Sequence, residues 1–213
     1  MFDHAVSGEN PRHMDFILNK AKPLFESWGY KVIILRSEKT YLELFYHRIE
    51  KPVKHIHHKG LRHGFPLTNL CMIKRDLKLK PIAEFKDSLG LLADGYVEYV
   101  GICADEPKRL ASLRKNSNAH SLLEEYGYEK KDTKQLCLSY DLLSPVYELT
   151  KRGGCWMCPF SKRSECAEIK RRYPDVWKKF VSLENEPDIA FCKWNVYGDS
   201  LASLDASLEK EEK

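Results

Sequence analysis

Four cysteines have the residue type and spacing that could bind a metal centre. Cys155, Cys158 and Cys166 lie close together in the chain, and Cys71 lies far upstream. Two residues separate Cys155 from Cys158, and seven separate Cys158 from Cys166. Thiolates this close can bind one metal centre, and a fourth thiolate from elsewhere in the chain completes a tetrahedral set. The alternative is that these cysteines are buried apolar side chains or an oxidised pair.

A basic stretch from Lys51 to Arg75 is the second candidate for binding chemistry. Its acidic residues lie only at its edges, at Glu50 and Asp76. Its cationic and imidazole side chains are Lys51, Lys54, His55, His57, His58, Lys59, Arg62, His63, Lys74 and Arg75. This composition favours a phosphate-bearing ligand, either a nucleotide or a polynucleotide. The alternative is a solvated loop that acidic patches elsewhere balance, and the net charge of +4 does not by itself indicate a nucleic-acid binder.

The three neighbouring histidines of this stretch, His55, His57 and His58, have the side chains of metal ligands or proton carriers. No carboxylate or cysteine lies beside them in the sequence. We therefore favour phosphate-facing surface positions for them. The remaining cysteines, Cys103, Cys137 and Cys192, are expected to be small buried apolar residues.

Composition and length indicate one globular domain. The chain has 213 residues, of which 43% are hydrophobic, and single cores typically span about 100–200 residues. Seven cysteines, an odd number, argue against a secreted disulfide framework. The N-terminus does not resemble a signal peptide, and no apolar run is long enough to cross a bilayer. We expect a cytoplasmic protein with no membrane partner.

The elements that must position these side chains alternate between strands and helices. The apolar spacing predicts helices over 11–28, 40–48, 71–79, 132–139 and 164–181, the last of them broken at Pro174. Strands are predicted to end near residue 6 and to cover 30–35 and 96–103. This alternation predicts an α/β fold with a parallel sheet and helices on both faces.

We expect residues 1–200 to form this domain, with a helical cysteine-rich segment at 150–182 and a charged C-terminal tail at 201–213 that ends as a frayed helix. The polar loop 104–109 follows the strand 96–103. In open α/β sheets, ligands bind at this carboxyl edge of the strands.

Five stretches together resemble the phosphoadenosine phosphosulfate (PAPS) reductase family, a branch of the PP-loop adenine-nucleotide hydrolase-like superfamily. The resemblance covers about residues 5–185. The stretches are Ser7-Gly8-Glu9-Asn10-Pro11, Gly64-Phe65-Pro66 with Cys71 and Lys74-Arg75-Asp76, Gly101-Ile102-Cys103-Ala104-Asp105-Glu106-Pro107-Lys108-Arg109, Leu143-Ser144-Pro145-Val146-Tyr147, and Cys155-x-x-Cys158-Pro159. The nine-residue block that begins at Gly101 is the most specific of them.

The resemblance implies a Rossmann-like (HUP-type) parallel sheet, an adenine-nucleotide ligand (ATP or PAPS-like) and a cofactor. Its nucleotide-binding residues would be Ser7, Gly8, Glu9, Asp105, Lys108 and Arg109. Its cysteine pattern is similar to that of members with a [4Fe–4S] cluster, which would place the cluster on Cys71, Cys155, Cys158 and Cys166. Structural Zn²⁺ on the same four ligands is the alternative, because both centres accept tetrahedral sulfur.

Two motifs of that family are absent from the chain. The PP-loop motif Ser-Gly-Gly-x-Asp-Ser, which cradles a pyrophosphate, would precede Met1, so we expect the first strand–loop–helix unit to be missing. Without the C-terminal Glu-Cys-Gly-x-His motif of the reductases, sulfonucleotide reduction is not supported. The resemblance therefore implies sulfur transfer or sulfonucleotide processing, with a sulfur donor such as a cysteine desulfurase as partner, and identifies no catalytic residue. The alternative is a non-catalytic binding or regulatory module for a protein or DNA partner, with a structural metal site.

Overall fold

The computed structural model describes residues 9–66, 71–90, 95–150, 155, 158–194 and 200–211. Its α-helices are α1 (Pro11–Phe16), α2 (Lys22–Ser27), α3 (Tyr41–Tyr46), α4 (Lys80–Ser88), α5 (Pro107–Leu113), α6 (Leu122–Glu125), α7 (Lys130–Ser139), α8 (Arg163–Arg172), α9 (Pro174–Ser182) and α10 (Leu201–Glu211). π-helical turns join α1 to α2 (Ile17–Ala21) and precede α4 (Ile73–Leu79), and 3₁₀ turns lie at Ile56–His58, Pro145–Glu148 and Leu183–Asn185. In this part of the chain, no helix combines the length and the apolar character that a membrane crossing requires.

The strands form two parallel pairs, which confirms the predicted α/β class at this level. Strand β1 (Arg62–Gly64) pairs with β4 (Ile189–Phe191), and β2 (Glu98–Tyr99) pairs with β3 (Ala119–His120). Each pair joins segments that are distant or separated by a helix, as parallel pairing requires. The basic stretch from Lys51 to Arg75 contains β1 and the 3₁₀ turn Ile56–His58.

Two strand predictions need correction, and a third lies outside the described residues. Residues 30–35 form no strand, and Tyr30 is 65% exposed. A β-branched run becomes a strand only when a neighbour accepts its hydrogen bonds, and no described segment pairs with it. The strand predicted over 96–103 is only two residues long, because β3 offers a short edge. The strand end predicted before residue 7 is in the undescribed N-terminal segment.

The helix predictions are largely confirmed because local capping fixes them. Asn10 is the N-cap of α1, its side chain accepts from the Arg12 amide at 2.9 Å, and Pro11 occupies the first helical position. Thr40 and Glu43 form a capping box at the start of α3. The predicted long helix over 164–181 breaks between α8 and α9, where Pro174 opens the second helix.

Gly64 is a position where only glycine fits. Its φ of +86° is in the left-handed region, and a Cβ atom there would lie 2.3 Å from Ile189 Cγ2 and 2.5 Å from the Phe191 carbonyl oxygen. We expect Gly64→Ala to lower the free energy of unfolding by about 2–4 kcal/mol, from the backbone strain and the overpacking together. Urea denaturation measures this loss.

Gly29→Ala is the matched control, because Gly29 has the same φ of +86° but no atom within 4 Å of the added Cβ. Gly29→Ala should lower the free energy of unfolding only through backbone strain, by about 1–2 kcal/mol. Equal losses in the two variants would contradict the close approach of β1 to β4.

The buried hydrophobic cluster, here called the main cluster, draws its side chains from residues 41–73 and 166–208. Its members are Tyr41, Leu44, Phe45, Phe65, Met72, Ile73, Cys166, Ile169, Trp177, Phe180, Leu183, Trp194, Leu201, Leu204 and Leu208. The aromatic rings meet edge to face, for example Phe65 with Phe180 at 5.6 Å between centroids. This cluster fixes α3 and the turn after Cys71 against α8, α9 and α10.

The prediction of a frayed, charged tail at 201–213 is wrong for α10. Leu201, Leu204 and Leu208 are buried in the main cluster. The Glu184 carboxylate accepts from the Leu201 amide at 2.7 Å and fixes the start of the helix. Further along, Asp205 accepts from the Trp177 indole at 2.6 Å. The helix forms part of the core because its apolar residues recur on one face.

Candidate functional site

Glu9 and Cys155 meet at the centre of the candidate site, although 145 residues lie between them in the chain. Their backbones form an isolated antiparallel bridge. The Lys78 ammonium pairs with the Glu9 carboxylate, and its interaction with the Cys155 sulfur raises the pKa of Lys78. The π-helical turn Ile73–Leu79 positions Lys78, and this turn begins two residues after Cys71.

The Tyr41 side chain of α3 belongs to the buried cluster against which Cys71 and Cys155 pack. Tyr41 is 1% exposed, and the charges of Cys71 and Cys155 both act on its hydroxyl. That hydroxyl has no hydrogen-bond partner among the described residues. Burial raises the pKa of Tyr41, and the neighbouring thiolates raise it further, so the group stays protonated and can donate. A sulfur acceptor is the chemistry that its surroundings offer.

Three of the four predicted cysteines interact electrostatically. The charges of Cys158 and Cys71 both act on the Cys155 thiol, so these three are electrostatic neighbours. Cys166 is buried on α8 inside the main cluster, which Cys71 and Cys155 border. The charged groups that act on the Cys166 thiol are Glu165 and Arg163. Within the described residues, no three His, Cys, Asp or Glu side chains are arranged to hold a metal ion.

The electrostatics of the site depend on its burial. Burial raises the pKa of the Cys155 thiol to about 11, partly offset by the Lys78 charge. For Lys78 itself, burial lowers the pKa, but the Cys155 and Glu9 charges raise it overall. Burial likewise raises the pKa of the Cys166 thiol to about 12. Without a bound cation, these two cysteines are therefore thiols near neutral pH.

His13 adds a titratable group to the edge of the site. Its Nδ1 atom lies 2.7 Å from the Ser144 hydroxyl. Burial lowers the pKa of His13, and the Lys78 charge lowers it further against the opposing effect of Glu9. A neutral imidazole therefore lies beside the Lys78–Glu9 pair at neutral pH.

The donor set has the chemistry of a thiolate-bound centre. Three sulfurs are grouped with one ammonium to balance their charge and with one buried hydroxyl that lacks an acceptor. Outer groups of this kind hydrogen-bond to the sulfurs of iron–sulfur and zinc sites. Cys71, Cys155 and Cys158 have the side chains that such a centre uses, and the adjoining Cys166 is a fourth sulfur in this part of the core; their assignment as ligands stays a prediction.

The unpaired Tyr41 hydroxyl leads to a prediction that compares the metal-free protein with protein reconstituted with iron and sulfide or with zinc. In the metal-free protein, Tyr41→Phe should raise the free energy of unfolding by about 1 kcal/mol, because it removes a buried group without a partner. In the metal-loaded protein the hydroxyl gains a sulfur acceptor, so the same substitution should lower stability. Chemical denaturation of both forms measures the change of sign.

Phe45→Leu is the control, since this neighbouring side chain carries no polar atom. Phe45→Leu should change the free energy of unfolding by the same amount with and without metal. If Tyr41→Phe behaves the same way, the hydroxyl does not contact the centre.

The predicted nucleotide residues are divided between two places. Glu9 lies in the cysteine site, and Ser7 and Gly8 lie outside the described residues. Asp105 accepts from the Lys130 amide at 3.3 Å and is exposed. Lys108 is exposed on the first turn of α5.

Arg109 forms a local ion pair with Glu106, at the start of α5. Its guanidinium lies 2.7 Å from the Glu106 carboxylate, whose other oxygen accepts from the Cys103 amide at 3.3 Å. The Arg109 contact lowers the pKa of Glu106. The residues 107–109 belong to α5 rather than to a loop, because Pro107 starts the helix. The phosphate contact stays a prediction.

Three site residues were missed from the sequence: Lys78, Tyr41 and His13. For Lys78 a signal existed, because it lies seven residues, about two helical turns, after Cys71 and so on the same face. Nothing local distinguishes Tyr41 or His13. Among the remaining cysteines, Cys103 is buried as predicted, Cys137 is half-buried, and Cys192 is exposed, which corrects its assignment to the interior.

Comparison with known proteins adds no relative. No family model, curated protein or solved structure matches this chain.

Proposed function

We propose that this chain is an adenine-nucleotide-binding protein of sulfur-transfer or sulfonucleotide-processing type, with a cysteine-ligated iron–sulfur centre on a Rossmann-like α/β fold. Its ligand would be ATP or a PAPS-like nucleotide, and its sulfur would come from a donor such as a cysteine desulfurase. All seven cysteines are free thiols, which supports the reducing cytoplasm as its compartment.

The observation that carries this proposal is the convergence of separate motifs at one place. Glu9 of the Ser-Gly-Glu-Asn-Pro stretch bridges Cys155 of the Cys-x-x-Cys stretch. Lys78, just after the segment that contains Cys71, contacts both of them. The Ser144 hydroxyl, in a fourth stretch, lies within hydrogen-bond distance of His13. The charges of Glu9 and Lys78 both act on the His13 imidazole. Two of the five stretches behind the family resemblance therefore meet at Glu9 and Cys155, and Cys71 of a third stretch acts electrostatically on the same thiol.

The residues of the chain have separable tasks in this proposal. Cys71, Cys155, Cys158 and Cys166 would hold an iron–sulfur centre, which would supply a site for accepting or passing on sulfur. Lys78 stabilises the Cys155 thiolate through its charge, and Glu9 holds Lys78 in place. Tyr41 donates a hydrogen bond to sulfur from the core side. His13, neutral near pH 7, can accept a proton at the edge of the site.

Elemental analysis of protein purified without oxygen tests the nature of the centre. Iron together with acid-labile sulfide and visible absorption near ~400 nm, expected for iron–sulfur proteins, supports the proposal. Zinc alone would replace it with a structural site. Absence of both metals from a folded protein would contradict it.

Nucleotide binding is tested at Arg109. We expect Arg109→Ala to weaken ATP or PAPS binding by about 1–3 kcal/mol, the range for a charged hydrogen bond. The guanidinium is exposed enough to exchange Glu106 for a phosphate. Titration calorimetry measures the change.

Arg114→Ala is the matched control, since Arg114 follows the same helix and pairs with the Glu124 carboxylate. The Arg114→Ala variant should bind the nucleotide with the same affinity as the parent protein. Equal affinities for both variants, or no nucleotide binding by the parent protein, would contradict the assignment.

A second candidate is the non-catalytic module with a structural metal site. The Arg109–Glu106 pair favours it, because a satisfied arginine does not need a phosphate. The location of Cys166 inside the main cluster also favours it, since a centre there would stabilise the core. Metal binding without nucleotide binding would distinguish this candidate from the first.

A further inference from the structure

The residues 47–63, here called the basic hairpin, concentrate the charge of the protein. They contain five Lys or Arg and one Glu, a formal net charge of +4 that equals the net charge of the entire chain. They also contain five of the eight histidines. The remainder of the chain is therefore formally neutral, and the net positive charge of the protein lies in this hairpin.

The hairpin is a defined structure attached to the core. The Ile49 amide donates to the Leu61 carbonyl at 2.9 Å, and the Gly60 amide donates back to the Ile49 carbonyl at 2.8 Å. Arg48 and Arg62 pair as an antiparallel bridge. The C-terminal strand of the hairpin is β1, which leads directly to the buried Phe65. Residues 50–60, here called the tip, are thus fixed at both ends and exposed to solvent. A preformed tip loses less conformational entropy when it binds a ligand.

The lysines of the hairpin form no ion pair with the described residues. Lys51, Lys54 and Lys59 are exposed, and none of them forms an ion pair within the described residues. By contrast, Arg62 at the base pairs with Glu186 at 3.0 Å. The tip lysines are therefore available for phosphates, which release counterions when lysines neutralise them.

The hairpin also contains a cluster of imidazole rings close to these lysines in the sequence. The centroids of His57 and His58 are 4.3 Å apart, and those of His55 and His58 are 5.1 Å apart. The ring of His58 packs edge to face against Phe191, with 4.9 Å between the ring centroids. Val53 and Ile56, 93% and 77% exposed, add apolar surface beside the rings. Bases of a single strand stack on such imidazole and apolar surfaces while its phosphates contact lysines.

We propose that the basic hairpin binds single-stranded nucleic acid. Lys51, Lys54 and Lys59 contact the phosphates, and His55 and His57 stack on bases. An anionic membrane is the less suitable partner, because surface-bound segments use a longer amphipathic helix and the only helical turn at the tip is the three-residue turn Ile56–His58. The proposal does not depend on the cysteine site or its metal.

Fluorescence anisotropy with labelled single-stranded DNA and RNA of about 20 nucleotides tests the proposal on the full-length protein. The triple variant Lys51→Ala, Lys54→Ala, Lys59→Ala should bind at least about tenfold more weakly, and the slope of log K against log salt should fall by about 2, because each single-strand contact contributes about 0.7. His55→Ala with His57→Ala should weaken binding with the salt slope unchanged. Preference for RNA or for DNA identifies the natural strand.

The control Lys115→Ala, Lys134→Ala, Lys179→Ala removes the same charge from exposed positions outside the hairpin. It should bind within about twofold of the parent with the same salt slope. Equal weakening by the control, or no oligonucleotide binding by the parent, overturns the proposal. Hairpin-dependent sedimentation with phosphatidylserine vesicles but not with oligonucleotides also overturns it and assigns the surface to membranes.

Discussion

Replacing Cys158 with alanine is expected to reduce the bound metal to about zero per chain. Cys158 belongs to the group of three neighbouring sulfurs, and a centre that loses one of four thiolates loses most of its binding free energy. Cys71 and Cys155 border the main buried cluster, so the packing around them should loosen as well. Metal analysis and the visible spectrum of protein prepared without oxygen measure the loss.

Cys192→Ala is the matched control for this experiment. Cys192 is an exposed thiol outside the site, so its removal should leave the metal content unchanged. Full metal content in Cys158→Ala would exclude Cys158 as a ligand. Loss of metal in Cys166→Ala as well would identify the buried fourth sulfur as part of the same centre.

The second large effect is expected in α10, where Leu208→Ala should lower the free energy of unfolding by about 2–5 kcal/mol. Leu208 is 2% exposed within the main cluster, and truncation there leaves a cavity in a packed interior. This is a large fraction of the stability of a typical domain, about 5–15 kcal/mol. Urea denaturation followed by circular dichroism measures the change.

Leu138→Ala provides the comparison, because Leu138 is about half exposed at the end of α7. The same chemical change should cost less than about 1 kcal/mol there. Equal small effects at the two leucines would restore the prediction that residues 201–213 form a loose tail.

These two predictions concern one structural unit. The helices α8 and α10 are joined through Asp205, which lies 2.8 Å from Lys170 of α8. Cys166 lies on α8, and the turn after Cys71 packs on the same cluster. Loss of α10 should therefore weaken metal binding indirectly, whereas loss of Cys158 should act on the metal directly.

The sequence by itself determined the elements whose signals are short in range. The Asn10 cap, the Thr40–Glu43 capping box and the break at Pro174 depend on side chains a few residues apart, so they could be predicted without knowledge of the fold. The α/β class followed from the alternation of such elements. The close spacing of Cys155 and Cys158 also made them candidates for one site.

Only the tertiary structure decided which distant groups meet. Tyr30–Leu35 has strand-forming residues, but a strand exists only where another segment supplies hydrogen bonds. The place of Leu208 in the core and the contact of Lys78 with both Glu9 and Cys155 depend on residues that are far apart in the chain. Contacts of this kind are chosen by the packing of the whole chain, and local composition does not encode them.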